Sequence, residues 1–104
     1  MQDLLQVKAV LAAAQDVMAA TRRVPIYVSV TIEQTGTLLT GTDVEGVVAT
    51  LEPFPIDILG LNCATGPVPM RPHLETLCRR WPRLVGVYPN AGLPIPCDAG
   101  ICYP

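Results

Sequence analysis

Four cysteines and one histidine are the residues of this sequence most suited to bind zinc, and the cysteines could also change redox state. Cys97 and Cys102 are separated by four residues, a spacing that permits either zinc binding or a disulfide. Cys63 stands in a short polar segment, Asn-Cys-Ala-Thr-Gly-Pro, directly after an apolar run. One hypothesis is a zinc site assembled from Cys63, Cys97 and Cys102. The other is that Cys97 and Cys102 lie in a variable loop and bind no metal.

The other polar candidates have simpler interpretations. Cys78 falls in an apolar helical segment and is predicted to be a core thiol. His73 is predicted to lie at the surface, and the sequence offers neither a second histidine nor a Ser-His-Asp set that would support hydrolysis. Asn62 and Asn90 each stand in a polar segment after an apolar run. They either satisfy backbone groups of turns or line a binding pocket.

Composition limits the class of protein. Half of the 104 residues are apolar, which favours one folded domain, and no apolar stretch is long enough to span a membrane. The net charge is −2 and no basic cluster occurs, which excludes nucleic acid and anionic membranes as partners. The first residues, Met1-Gln-Asp, lack the basic region of a secretory signal. We therefore expect a cytoplasmic protein with reduced cysteines.

Hydrophobic periodicity predicts three helices and three strands in alternation. Helices are predicted at 3–22, from 43 to before Pro53 and at about 69–80, strands at 26–32, 56–61 and 84–88, and a loop at 89–104. The first helix has one apolar stripe, formed by Leu4, Val7, Leu11, Ala14 and Met18.

Local signals predict how these helices begin and end. Thr42 and Glu45 fit a capping box at the start of the second helix. Arg22 and Arg23 suit the last turn of the first helix, where cations meet the negative end of the helix dipole. Pro72 is predicted in the first turn of the third helix, where a missing N–H costs little.

This alternation predicts an α/β fold with about three parallel strands, as in a doubly wound sheet or a (β/α)8 barrel. In both architectures the loops after the carboxyl ends of the strands carry the chemistry, here 33–42, 62–69 and 89–104. Parallel strands this apolar need neighbours on both edges and cover on both faces. The pattern therefore predicts a segment of a larger sheet.

Four motifs resemble the homocysteine S-methyltransferase family. They are Asp3-Leu-Leu-Gln-Val-Lys-Ala9, Val28-Ser-Val-Thr-Ile32 with Leu39-Thr-Gly-Thr42, Gly60-Leu-Asn-Cys-Ala-Thr-Gly-Pro67 and Tyr88-Pro-Asn-Ala-Gly-Leu-Pro94. Their order and spacing are those of the homocysteine-binding barrel in the cobalamin-dependent members of the family. The resemblance implies that residues 1–104 are a fragment of a (β/α)8 TIM barrel, from helix four through strand seven and the following loop.

The resemblance also implies a reaction and a metal. Family members transfer a methyl group, here from methylcobalamin, to the thiolate of homocysteine and give methionine. Zinc held by three cysteines lowers the pKa of the homocysteine thiol. Cys63 matches one of these ligands, and the Gly-Gly-Cys-Cys motif that supplies the other two does not occur in this sequence. Asp3 matches the last residue of a Glu-Thr-x-x-Asp motif whose glutamate binds the homocysteine amino group.

Asn62 and Asn90 fall within the resembling motifs, which implies a place in the substrate pocket. Because zinc needs more than one protein ligand, the fragment alone is expected to be inactive. The parent enzyme would also contain cobalamin and folate modules as partners. The alternative is a non-catalytic β/α module that is completed by self-association through its sheet edges or by a partner chain.

Overall fold

The structure is a computed structural model that describes residues 1–62 and 64–103. Its elements are, in chain order, α1 (Leu4–Ala20), β1 (Tyr27–Thr31), α2 (Val44–Leu51), β2 (Ile58–Asn62), α3 (Pro67–Arg80), β3 (Leu84–Tyr88), β4 (Ile95–Cys97) and β5 (Gly100–Cys102). The alternation of helices with three parallel strands confirms the predicted α/β class. The antiparallel hairpin of β4 and β5 corrects the predicted loop over 89–104.

Strands β1, β2 and β3 form one parallel sheet in that order. Its register aligns Ser29 with Gly60, and Gly60 with Gly86. Met1 lies beside the outer edge of β1: its amino group donates to the Ser29 carbonyl at 2.9 Å, and its carbonyl accepts from the Thr31 amide at 2.9 Å. These two bonds have the pattern of a parallel ladder. The chain therefore enters α1 from a position next to β1 in the sheet.

The helices cover one face of this sheet. Alternate residues of β1 and β2 join buried residues of all three helices in one apolar cluster: Val28, Val30, Leu59 and Leu61 with Val7, Leu11, Val47, Leu51, Met70 and Leu77. The predicted stripe of α1 is confirmed, because its five residues are the least exposed positions of that helix. Each fully buried Val or Leu stabilises the fold by about 1.5–3 kcal/mol, because its apolar surface is removed from water. This cluster is the core of the described chain.

The opposite face of the sheet is open. Leu84 and Tyr88 are 67% and 68% exposed. Tyr27 lies across the glycines of the neighbouring strands, so that a Cβ at Gly86 would stand 2.6 Å from the Tyr27 hydroxyl oxygen. The rings of Tyr27 and Tyr88 are 6.3 Å apart between centroids. The absence of side chains at Gly60 and Gly86 leaves the space that the Tyr27 ring occupies.

Gly60→Ala and Gly86→Ala are expected to differ in cost. A Cβ at Gly60 would meet the Tyr27 ring and, in addition, the Gly86 carbonyl oxygen at 2.8 Å, which belongs to the backbone of a paired strand. At Gly86 the three nearest atoms all belong to the Tyr27 side chain, which can rotate away. We expect urea unfolding to show a loss of about 1–3 kcal/mol for Gly60→Ala and a smaller loss for Gly86→Ala.

A Tyr27→Ala background separates the two causes. It should remove most of the cost of Gly86→Ala, but only the part of the cost of Gly60→Ala that comes from the Tyr27 ring. Complete relief of Gly60→Ala in this background would contradict the backbone contact.

The end of α1 differs from the sequence prediction. The helix ends at Ala20, so Arg22 and Arg23 lie beyond its last turn. Arg23 instead forms an ion pair with Asp57 at 2.8 Å. The Ile26 amide donates to the same carboxylate, and this hydrogen bond together with Arg23 holds the pKa of Asp57 below its ordinary value. The arginine therefore ties the start of β1 to the start of β2.

The starts of α2 and α3 also correct the predictions. The cap of α2 is Asp43, whose Oδ1 accepts from the Gly46 amide at 2.8 Å, and not Thr42. Helix α3 begins at Pro67, so Pro72 lies inside it and not in its first turn. The hydrophobic pattern of the sequence locates a helix but does not determine which of two adjacent polar residues caps it.

Cys78 is exposed, whereas the sequence predicted a core thiol. The buried residues of α3 are Met70 and Leu77, and Leu77 is fully buried. Because each helical residue is rotated by about 100° from the previous one, the residue after Leu77 turns away from the core. Its neighbours in sequence therefore misled the prediction for Cys78.

Candidate functional site

Thr31 and Asn62 meet where β1 and β2 end. They are direct partners in the parallel ladder, and the Thr31 hydroxyl donates to Asn62 Oδ1 at 2.8 Å. Thr31 is 9% exposed and Asn62 is half-buried. The Asn62 side chain is therefore held by a residue of the neighbouring strand.

The loops after β2 and β3 contact each other through their backbones. The Asn90 amide donates to the Thr65 carbonyl at 3.2 Å. A Cβ at Gly66 would lie 3.0 Å from Gly92 Cα and 3.3 Å from Gly92 N. Gly92 has φ 110°, a conformation that residues with side chains rarely adopt. Both glycines are therefore needed for the two loops to approach this closely.

Gly66→Ala is expected to separate these loops. The new Cβ would lie unusually close to backbone atoms of Gly92, so the loop after β3 would have to move by a few tenths of an ångström. We expect a loss of about 1–3 kcal/mol in the free energy of unfolding and faster hydrogen exchange at the Asn90 amide.

Gly41→Ala is the matched control. Unlike Gly66, Gly41 has a positive φ, 94°, and a Cβ there meets nothing within 4 Å. It should cost stability through backbone strain and leave exchange at Asn90 unchanged. The loop contact is disproved if both variants change Asn90 exchange equally.

An apolar cleft of about 750 Å³ opens where the loops meet. Residues from the loops after all three parallel strands, from the first turn of α3 and from the start of β4 line it: Gln34, Thr65, Gly66, Pro67, Val68, Pro69, Ala91, Gly92, Leu93 and Ile95. A second, more polar cleft of about 510 Å³ shares Gln34 with the first and is also lined by Glu33, Thr35 and Ala64. The first cleft has the size and apolar lining typical of small-molecule sites.

Cys63, the predicted zinc ligand, lies outside the described residues. Its neighbours show where the motif turns. Asn62 ends β2, and Ala64 lines the second cleft with φ 53°, a left-handed conformation that few residues other than glycine adopt. Such strained positions cluster at functional sites, because the surrounding structure must maintain them.

Two predicted polar residues have identified local contacts. Asp3 caps α1, and its Oδ1 accepts from the Leu5 amide at 2.8 Å. His73 is half-buried against the loop after β1, where a Cβ at Gly36 would lie 3.1 Å from His73 Cε1. The histidine thus helps to pack α3 against that loop from a half-buried position.

Cys97 and Cys102 form a disulfide, with their Cα atoms 5.9 Å apart. This corrects the expectation that the cysteines are all reduced. It also contradicts the hypothesis of a zinc site from Cys63, Cys97 and Cys102, because sulfur atoms bonded to each other do not act as thiolate ligands. The physical reason is the tight turn between β4 and β5, in which Gly100 has φ 109°.

The residues that the structure describes do not make a zinc site by themselves. Within 1–62 and 64–103, no three His, Cys, Asp or Glu residues are grouped so that they could hold a metal ion. Cys78 is on the exposed surface of α3. The donor set of a catalytic zinc, which needs three protein ligands, is therefore not met by this part of the chain.

Sequence reasoning missed Thr31, Gln34 and Ile95 as residues of this region. Thr31 had a local signal, a polar residue near the carboxyl end of a mainly apolar strand. Gln34 and Ile95 had none, because their place in the cleft depends on how separate loops pack together.

The chain belongs to the homocysteine S-methyltransferase family, whose model matches residues 1–101. It is 46% identical to a protein named methionine synthase from Mycobacterium leprae (strain TN), and 45% identical to one of the same name from Mycobacterium tuberculosis (strain ATCC 25618 / H37Rv). Each comparison covers 99% of this chain and 9% of the relative. The chain thus spans about a tenth of the length of these relatives. Among the described residues, no helix has the length and apolar character needed to cross a membrane.

Proposed function

We propose that this chain forms one side of the homocysteine site of a methionine synthase, an enzyme that transfers a methyl group to the thiolate of homocysteine. One observation carries the proposal: the backbone contact between the loops after β2 and β3, at Gly66 and Gly92. These loops contain the two sequence motifs that most resemble the family. The contact brings both motifs to one cleft at the carboxyl end of the sheet, where parallel α/β folds bind their ligands.

In this proposal Asn62 and Asn90 bind homocysteine at the ends of neighbouring strands. The bond from Thr31 holds the Asn62 amide, and the bond to the Thr65 carbonyl holds the backbone at Asn90. An asparagine amide can both donate and accept, so it suits the amino and carboxylate groups of an amino acid. The apolar wall of the cleft, which includes Pro67 and Leu93, suits the methylene groups of homocysteine.

The metal part of the proposal assigns one thiolate, Cys63, to zinc. Because the described residues do not complete the ligand set, we propose that the 104 residues alone bind zinc and homocysteine weakly and are inactive. In the whole enzyme the methyl donor would be methylcobalamin, and cobalamin and folate modules would be partners of this barrel in the cytoplasm. The much greater length of the relatives is consistent with such additional modules.

We also propose that residues 1–104 correspond to helix four through strand seven of a (β/α)8 barrel and the loop that follows. The backbone bonds of Met1 to Ser29 and Thr31 support this assignment, because they are those of the end of a preceding parallel strand. The open face with Tyr27 would then face the inside of the barrel.

A second candidate is a non-catalytic β/α module whose sheet is completed by a second copy or a partner chain. The exposed side chains of Leu84 and Tyr88 on the open face favour it, since unpaired strands and apolar surface promote association. A monomeric mass for the purified 104-residue chain would argue against self-association.

A chimera tests the main proposal. Residues 1–104 would replace the matching segment of the Mycobacterium tuberculosis relative, and zinc content and methyl transfer to homocysteine would be measured. We expect about one zinc per chain and activity, because the rest of the barrel would supply the remaining ligands. Cys63→Ser in the chimera should abolish both, and the isolated 104-residue chain should hold almost no zinc.

Cys78→Ser is the matched control, since Cys78 is exposed on α3 and should be replaceable without loss of zinc or activity. Asn62→Ala should leave zinc in place and raise the KM for homocysteine by roughly tenfold, the loss of one hydrogen bond. Retention of zinc by a folded Cys63→Ser chimera would contradict the assignment of the ligand.

A further inference from the structure

The hairpin of β4 and β5 depends on its disulfide more than on packing. It has only three residue pairs, Ile95 with Cys102, Pro96 with Ile101, and Cys97 with Gly100. Ile101 is 75% exposed, and its partner Pro96 and its neighbour Gly100 are exposed as well. An isolated two-stranded hairpin of this size is marginally stable in water. The covalent bond between Cys97 and Cys102 is therefore its main constraint.

This disulfide closes a short loop and can be reached by solvent. Only four residues separate Cys97 from Cys102, and the entropy that a disulfide removes from the unfolded chain is smallest for short loops. Both cysteines are half-buried and their neighbours Asp98 and Ile101 are exposed. A disulfide exchanges readily with thiols when it is accessible to solvent and is stabilised only weakly by the folded structure.

The hairpin also forms part of the cleft. Ile95 of β4 lines it, together with Leu93 and with Val68 from the first turn of α3. Leu93 and Ile95 form what we call the Ile95 wall of the cleft. If β4 loses its pairing with β5, Ile95 is no longer held in this wall by its backbone partner Cys102. The redox state of the cysteine pair is thereby linked to the shape of the cleft.

We propose that Cys97 and Cys102 are a thiol-exchange site that responds to low-molecular-weight thiols and controls the order of the Ile95 wall. A thiolate attacks one sulfur of the disulfide, forms a mixed disulfide with that cysteine and releases the other cysteine as a thiolate. A second thiol attacks the mixed disulfide, releases the small disulfide and leaves the protein with two thiols. Two small thiols are oxidised while one protein disulfide is reduced. This inference does not depend on the proposed methyl transfer.

The test uses the 104-residue chain in mixtures of reduced and oxidised glutathione. Alkylation with mass spectrometry would report the state of Cys97 and Cys102, and hydrogen exchange would report order in residues 93–103. We expect the pair to pass from disulfide to dithiol within this series, with exchange in the hairpin rising by at least about tenfold. Exchange in the sheet at Val30 and Leu59 should not change.

Two variants separate this site from general effects of the thiol. Cys97→Ser with Cys102→Ser should give fast hairpin exchange at every glutathione ratio, and Cys78→Ser should respond as the unchanged chain does. The proposal is overturned if the pair remains a disulfide in excess reduced glutathione, or fails to form one in oxidised glutathione. It is also overturned if reduction leaves hairpin exchange unchanged.

Discussion

The approach of two backbone segments at Gly66 and Gly92 is the constraint on which the candidate site depends. A Cβ at Gly66 would lie 3.0 Å from Gly92 Cα, so the distance between the loops is set by the absence of a side chain. A hydrogen bond from the Asn90 amide to the Thr65 carbonyl joins the same two loops next to this contact. The cleft exists because the start of α3 and the segment after β3 meet here.

The two faces of the sheet carry different roles in this account. The face toward the helices supplies the core, and buried residues such as Leu59 and Leu77 hold the strands in register. The other face has small residues, Gly60 and Gly86, under the ring of Tyr27. In the proposed barrel this second face is interior and receives further cover. In the chain alone it leaves Leu84 and Tyr88 exposed, which is the observation behind the alternative of a self-associating module.

The sequence was sufficient to predict the elements whose signal is periodic. The apolar stripe of α1 fits only a helix, and the β-branched run of β1 fits only a strand. Each pattern extends over several residues, so the secondary structure of both segments could be predicted. Single-residue decisions were less accurate. Cys78 follows Leu77 in sequence yet faces solvent, and Asp43 caps α2 in place of its neighbour Thr42.

The tail and the cleft could not be predicted for a different reason. Prolines at 94 and 96 suggested a loop, but the turn at Gly100 and the bond between Cys97 and Cys102 form a hairpin that periodicity does not reveal. The cleft needs contacts between loops that are far apart in sequence, such as Asn90 with Thr65. Cys63 was identified only through its motif, and its role stays a prediction.

The most direct test of this account is a nuclear magnetic resonance measurement on the 104-residue chain, looking for nuclear Overhauser effects between the α-protons of Gly66 and Gly92. The account predicts a clear cross-peak, because the backbones of the two loops are in contact. The sheet provides an internal reference, since the pairing of Gly60 with Gly86 should give its own cross-strand effects. A chain that shows the sheet effects but no effect between Gly66 and Gly92 would contradict the account, because the two motifs would then not form one site.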